Sequence, residues 1–501
     1  MPATVSATVP TMVEETIAVA VAVFRCWRND LRRTFDGSAA PPRVLAAVVV
    51  AAAAGWWILG LSTLRTALPP LDPATVRLAT DRLLLAAFMS AVALAGLLTV
   101  VTLSITPPRT ALGDLLAVQP LSRGRRRLAL EAPGHVLAIG AALALSGPAV
   151  VMTLRLGRWP WPVVPRIVLG LVLFALLGSL ACAVLYQAGV LLIARMLRLP
   201  LPLARSVVAL LLVVAIGQQV LVLFKVELPA AAVVGRGVVA LSLPLVGTPA
   251  HALLALGGLL VLVGIAGSLL WALLDVRPAS TAPALKVAVG LPPLGIQRLV
   301  RVDLEARQWI RFPYNASVSG LLLGTAAAAA LFSGRHSGAW PTELTLLLLL
   351  TAEVGVGGYG ATWAHHWLYR SSPGSPSAWV APKLAATTGW WALMVAGVSG
   401  LAALLANWQS GVLLSVLPQM AVVFVAGSLA GLLFPVSQEQ SLSSVAAAGV
   451  AALGAGALLW GMGRSGLGSG PPAAIAAVVV VLAGTAAYRL GGRARERDLV
   501  A

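Results

Sequence analysis

The sequence predicts an all-α polytopic membrane protein, a bundle of about twelve transmembrane helices. Of its 501 residues, 59% are hydrophobic and only 10% are charged, whereas soluble proteins carry about 25% charged residues. Mean hydropathy is +0.92, and the apolar residues form runs of about 20, the length that crosses a bilayer as a helix. Helices are expected because backbone groups in lipid must form hydrogen bonds within their own segment.

Twelve apolar segments meet this length criterion and are predicted to be spans. The first six lie at 44–62, 83–104, 135–156, 167–193, 207–224 and 252–275. The second six lie at 315–333, 342–362, 387–406, 412–435, 442–462 and 472–489.

The distribution of basic residues orients these spans. With a cytoplasmic N-terminus, 25 of the 35 basic residues fall on the cytoplasmic side and 10 on the other, as the positive-inside rule requires. We therefore expect a multi-pass plasma membrane protein with both termini in the cytoplasm. The net charge of +18 does not indicate a nucleic-acid partner, since the basic residues lie between apolar segments and not in one patch.

The chain divides into two predicted repeats of six spans, residues 1–275 and 276–501, the second ending in a basic cytoplasmic tail. Each repeat opens with a basic segment before its first span, Trp27–Phe35 in one and Val300–Trp309 in the other. Both segments contain Arg-x-Asp-Leu, which begins at Arg28 in the first copy and at Arg301 in the second. The shared pattern indicates an internal duplication.

These two opening segments are predicted to be amphipathic helices in the membrane interface. They include Asp30 in the first copy and Asp303 and Trp309 in the second. In the second copy one face is apolar, and a second face carries Arg298, Arg301, Glu305 and Arg311, the pattern of an interfacial helix. An ordinary basic linker helix is the alternative.

A second shared feature follows the second span of each repeat, on the predicted cytoplasmic side. An apolar pair precedes a proline, then serine with small or basic residues, then a short apolar helix. In the first repeat the residues are Pro120, Leu121, Ser122, Arg125, Arg126 and Arg127. In the second repeat they are Arg370, Pro373, Pro376 and Lys383.

With these two features the sequence resembles the permeases of type-2 ABC exporters, with two six-span domains fused. In that family an interfacial elbow helix opens each domain, and the segment after the second span docks on the ATPase. The resemblance implies that the residues just named contact a separate ATPase subunit, which would bind ATP and Mg²⁺. It also implies export of a hydrophobic or amphipathic small molecule, lipid or peptide.

The sequence offers no catalytic motif of its own. A P-loop requires a Gly-Lys pair whose backbone wraps phosphate, and none of the three lysines follows a glycine. The five histidines show no metal-ligand spacing. We therefore expect no enzyme activity, bound cofactor or metal in this chain.

Three polar residues within the predicted spans are candidates for the transport path: Glu353, Gln187 and Gln419. A charge at the centre of a bilayer costs about 3 kcal/mol on insertion scales, so Glu353 is expected to face the bundle or a wet cavity. A structural hydrogen bond to another helix is the alternative for this carboxyl group.

Two other functions stay open at this stage. A twelve-span secondary transporter of the major facilitator kind also has six plus six spans, although loop 105–134 is long for that family. A polytopic membrane enzyme, such as a lipid-linked glycosyltransferase, is the other. Such an enzyme is expected to carry acidic residues in its first external loop, but loop 63–82 offers Asp72 and Asp81 without an acidic pair.

Overall fold

The computed structural model describes most of the chain. It covers residues 12–33, 73–105, 122–157, 159–197, 201–224, 233–276, 300–332, 350–361, 376–406, 411–436, 441–467 and 470–498, with a few positions in 50–62, 115–119 and 347–348. These residues form α-helices, short 3-10 turns and connecting turns, and no β-strand is present among them. The predicted all-α fold class is confirmed.

The helices of the first half are α1 (Met12–Arg33), α2 (Pro73–Ile105), α3 (Arg123–Gly157), α4 (Val163–Met196), α5 (Leu201–Phe224), α6 (Val233–Ser242) and α7 (Pro249–Asp275). Those of the second half are α8 (Val300–Arg311), α9 (Pro313–Phe332), α10 (Val354–Gly358), α11 (Val380–Ala406), α12 (Gly411–Leu433), α13 (Ser441–Arg464) and α14 (Gly470–Asp498).

Eight helices among the described residues are long and apolar enough to cross a membrane. They are α2, α3, α4, α7, α11, α12, α13 and α14, and each overlaps one predicted span. The protein is therefore a multi-pass membrane protein. Of the other four predicted spans, 207–224 and 315–333 fall on α5 and α9, and 44–62 lies largely outside the described residues. The described part of 342–362 contains short 3-10 turns and the five-residue helix α10, with no long helix among those residues. Twelve crossings and the duplication therefore stay predictions.

The core of the first half forms where α2 packs against α3 and α4. Phe88 of α2 contacts Phe174 of α4 with ring centroids 4.9 Å apart. One turn away, a side chain at Gly178 would overlap the backbone of Val92. Small residues at this crossing therefore let α2 and α4 approach closely, which is how helices associate where no water drives them together.

The second half is built around α12, which packs against α10, α13 and α14. A side chain at Gly427 or Gly431 of α12, or at Gly355 of α10, would overlap backbone atoms of the facing helix or turn. Gly355 and the Gly427-x-x-x-Gly431 motif thus let α12 approach the facing elements closely. Gly320 of α9 has open space around it, whereas Gly324, four residues later, lies against a side chain.

The two halves meet along α5 and α9. Gly324 of α9 lies against the side chain of Leu210 of α5, close enough that a β-carbon at Gly324 would overlap it. The N-terminal helix α1 also packs against α3 and touches α13. The first basic segment is thus part of a helix that begins at Met12, fifteen residues before the predicted start at Trp27.

Candidate functional site

A buried ion pair joins α8, the second predicted elbow helix, to the start of α11. The Nζ atom of Lys383 lies 3.3 Å from Oε1 and 3.4 Å from Oε2 of Glu305. The two side chains are 0% and 3% exposed. Lys383 also lies over the ring of Tyr359, with its Nζ 5.6 Å from the ring centroid, so its charge is held by a carboxylate and an aromatic face.

The same face of α8 carries Trp309, one turn after Glu305. Its ring stacks on Trp390 of α11 at a centroid distance of 5.3 Å, and Trp390 Nε1 donates to the carbonyl of Ala306 at 3.3 Å. The placement of Glu305 on a polar outer face was wrong. The face that contains Trp309 packs on α11, so a residue four positions earlier is buried with it.

The other predicted elbow residues of α8 lie around this buried face. Arg307 donates from Nε to Oδ2 of Asp303 at 2.9 Å, an i,i+4 pair within the helix. The guanidinium of Arg301 lies 5.3 Å from the ring centroid of Trp379. In the first copy Arg28 is exposed on α1, and the side chain of Asp30 lies outside the described residues.

The second predicted ATPase-contacting segment runs directly into α11. Pro376 begins the 3-10 turn Pro376–Trp379 that precedes this helix, whereas Arg370 and Pro373 lie outside the described residues. Lys383 is fully buried, so its ammonium group faces Glu305 and not a partner protein. Lys383 could therefore contribute to ATPase coupling only indirectly, through its ion pair with Glu305 of α8. That role stays a prediction.

The first predicted segment ends at the N-terminus of α3, where it contacts the C-terminus of α7. The hydroxyl of Ser122 caps α3 by accepting from the backbone N–H of Arg125 at 3.4 Å. The N–H of Gly124 donates to Asp275 Oδ1 at 3.2 Å, and Arg127 donates to the carbonyl of Leu274 at 3.4 Å. The N-terminus of α3 thus faces a negative charge and the C-terminus of α7 faces a positive one, which is the arrangement that helix dipoles favour.

Of the remaining residues in this segment, Arg125 and Arg126 are half-buried on the first turn of α3. Pro120 and Leu121 lie outside the described residues. The contact with Asp275 places the start of α3 beside the end of α7, as expected if both lie on one membrane face.

The three transport-path candidates lie in different parts of the bundle. Gln187 is a buried residue of α4 in the first half. Glu353 belongs to a 3-10 turn that packs against α12, and Gln419 is a half-buried residue of α12 itself. Among the described residues, Gln187 is not joined to the other two, so the proposed common path is not assembled around all three.

Gln187 instead contacts a carboxylate that the sequence analysis assigned to a loop. Its Nε2 donates to Oε1 of Glu131 on α3 at 3.2 Å. Glu131 was placed in loop 105–134 because the apolar run begins only at 135. The helix itself begins at Arg123, twelve residues earlier, and carries Glu131 into the packed bundle.

A second polar contact follows one turn along α3. Nδ1 of His135 lies 2.8 Å from Oγ of Ser179 on α4, and this hydroxyl lies 2.7 Å from Oγ1 of Thr99 on α2. We call Glu131, Gln187, His135, Ser179 and Thr99 the polar seam. It joins α2, α3 and α4. Sequence reasoning missed it, and the spacing of Glu131 and His135, four residues apart, is the signal that could have identified it once helix α3 was extended to Arg123.

Comparison with known proteins gives no match. No protein-family model, no curated protein and no solved structure is similar to this chain.

Proposed function

We propose that this protein is the membrane-spanning permease subunit of an ATP-driven exporter in the plasma membrane. Its ATPase would be a separate polypeptide that binds ATP and Mg²⁺ and docks on segments 116–128 and 367–384. The chain would move a hydrophobic or amphipathic substrate, with both of its termini in the cytoplasm.

The observation that supports this proposal is the Glu305–Lys383 ion pair. It fixes the elbow helix α8 to the helix that begins within the second docking segment. A push on that segment would therefore move α8 and α11 together, because separating them would leave two charges buried without partners. The first segment is attached to the end of α7 through Gly124 and Asp275 in a comparable way.

Coexpression with the ATPase encoded beside this gene tests the proposal. The two proteins should copurify, and the complex in proteoliposomes should hydrolyse ATP faster than the isolated ATPase. Scrambling 116–121 and 370–376 together should abolish copurification while leaving α3, α11 and Lys383 intact. Scrambling the predicted external loop 333–340 is the matched control, and loss of binding there alone would contradict the proposal.

A secondary transporter is the second candidate, and the polar seam favours it. A carboxylate and an imidazole inside a helical bundle are typical of proteins driven by an ion gradient. Proteoliposomes that contain this chain and no ATPase separate the two proposals. Solute uptake driven by an imposed pH gradient would support the secondary transporter, and uptake only with the ATPase and ATP would support the exporter.

A further inference from the structure

The polar seam contains two buried atoms that form no hydrogen bond with any described residue. They are Oε2 of Glu131 and Nε2 of His135. The other polar atom of each side chain is occupied, by Gln187 for the carboxylate and by Ser179 for the imidazole. Buried polar atoms in proteins nearly always have a partner, so these two indicate a function that packing alone does not explain.

The two side chains project from the same face of α3. Residues four positions apart on a helix are neighbours, with their β-carbons about 5–6 Å apart. Gln187 orients the carboxylate, while Ser179, itself in contact with Thr99, orients the ring. Both side chains are therefore held side by side by contacts that involve three helices.

Charged residues on several helices surround Glu131 and His135. The positive charges of Arg127 on α3 and Arg205 on α5 attract the negative charge of the ionised Glu131 carboxylate. The other described titratable residues of α3 and of the helices packed on it are Arg123, Arg125, Arg126 and Arg155 on α3, Asp81 and Arg82 on α2, Arg166, Cys182, Tyr186 and Arg195 on α4, His251 and Asp275 on α7, and Arg25, Cys26 and Arg28 on α1. The nearest charged groups are thus two arginines, and an ionised Glu131 partly balances them.

We propose that Glu131 and His135 form a proton-binding site within the first half of the bundle. The proton passes from the carboxyl group to Nε2 of His135, directly or through one water molecule. The O–H bond of the carboxylic acid breaks, an N–H bond forms, and the products are a carboxylate and an imidazolium. Carboxyl and imidazole groups are common proton donors and acceptors in proteins.

This site goes beyond the proposed exporter function, because it requires neither an ATPase nor a substrate. Proton uptake adds one positive charge to a cluster that already contains Arg127 and Arg205. Uptake and release would therefore change the electrostatic interaction between α3 and α5. The ligand is a proton, and the residues that hold it are Glu131 and His135.

Infrared difference spectroscopy of the full chain in lipid vesicles tests the proposal. Spectra recorded across a pH titration should contain the C=O stretch of a protonated carboxylic acid that is missing in Glu131→Gln. In His135→Gln the midpoint of this band should move by about one pH unit or more, the coupling expected of two groups that share a site. Glu353→Gln is the matched control and should leave the Glu131 band unchanged.

Two results would overturn the proposal. One is a pH titration in which Glu131→Gln removes no band, and the other is a Glu131 band whose midpoint is unaffected by His135→Gln. If His135→Gln does not fold, Ser179→Ala replaces it, since freeing Nδ1 of the ring should also shift the midpoint. An unshifted midpoint in a folded Ser179→Ala protein would count against the shared site in the same way.

Discussion

Lys383 of α11 and Glu305 of α8 form an ion pair that is almost completely shielded from solvent, with the Nζ atom 3.3 Å from Oε1. Their positions are 78 residues apart in the chain. The pair holds α8, the second predicted elbow helix, against the helix that follows the predicted ATPase-docking segment.

Removing one charge of this pair should destabilise the protein strongly. Lys383→Met leaves Glu305 buried without a counter-charge, and such a change costs about 3–5 kcal/mol. Unfolding by SDS in detergent micelles, followed by circular dichroism, measures the loss. The double variant Glu305→Met, Lys383→Met should recover much of the stability, because no buried charge is then unpaired.

Asp303 and Arg307 provide the control for this first test, as an ion pair on the same helix. Their side chains are 11% and 19% exposed, against 3% and 0% for Glu305 and Lys383, so Arg307→Met should destabilise the protein less than Lys383→Met does. If Arg307→Met destabilised the protein as much as Lys383→Met does, burial would not be what makes the Glu305 pair important.

The stack of Trp309 on Trp390 should be a second strong contact between α8 and α11. Trp309 is 2% exposed, so Trp309→Ala should cost about 3–5 kcal/mol through lost burial and a cavity. Trp309→Phe should cost less, because an aromatic ring still faces Trp390. The same SDS titration applies, and an equal loss for Phe and Ala would contradict a stacking contribution.

The contact between α3 and α7 depends on the carboxylate of Asp275. Asp275→Ala removes the acceptor of the Gly124 N–H and the negative charge at the N-terminus of α3, so we expect a loss of about 1 kcal/mol. Asp275→Asn keeps an acceptor and should cost less. Amide hydrogen exchange at the first turn of α3 measures the effect, and protection unchanged in Asp275→Ala would contradict it.

The crossing of α2 and α4 should not accept a side chain at Gly178. A β-carbon there would overlap the backbone of Val92, and overpacking of this kind costs about 1–3 kcal/mol. Gly389→Ala on α11 is the matched control, since nothing lies within 4 Å of that position, and it should be neutral or slightly stabilising. Thermal unfolding in lipid nanodiscs compares the two variants, and equal melting temperatures would contradict the close approach.

The sequence predicted the helices well because long apolar runs in a chain of low charge have few alternatives to membrane-spanning helices. It placed the start of α3 too late, since hydropathy falls over the residues between Arg123 and Glu131. Those residues continue the same helix, and the burial of Glu131 depends on its contact with Gln187, which is 56 residues away. Hydropathy along the chain contains no information about that contact.

The error at Glu305 has a similar origin. Helical periodicity groups Glu305 with basic residues on a face that looks solvent-exposed, and a buried counter-charge cannot be inferred from periodicity alone. Lys383 was identified from its place in a motif, without any sign that it would be fully buried. The pairing of the two residues depends on how α8 packs on α11, which is a tertiary contact.

Cysteine cross-linking to the ATPase tests the exporter proposal most directly. In a variant that lacks Cys26 and Cys182, Arg126→Cys and Arg370→Cys should each cross-link to the coexpressed ATPase in intact membranes. Arg335→Cys, in a predicted external loop, should not. Cross-linking at Arg335, or none at either Arg126 or Arg370, would contradict an ATPase bound to these two segments.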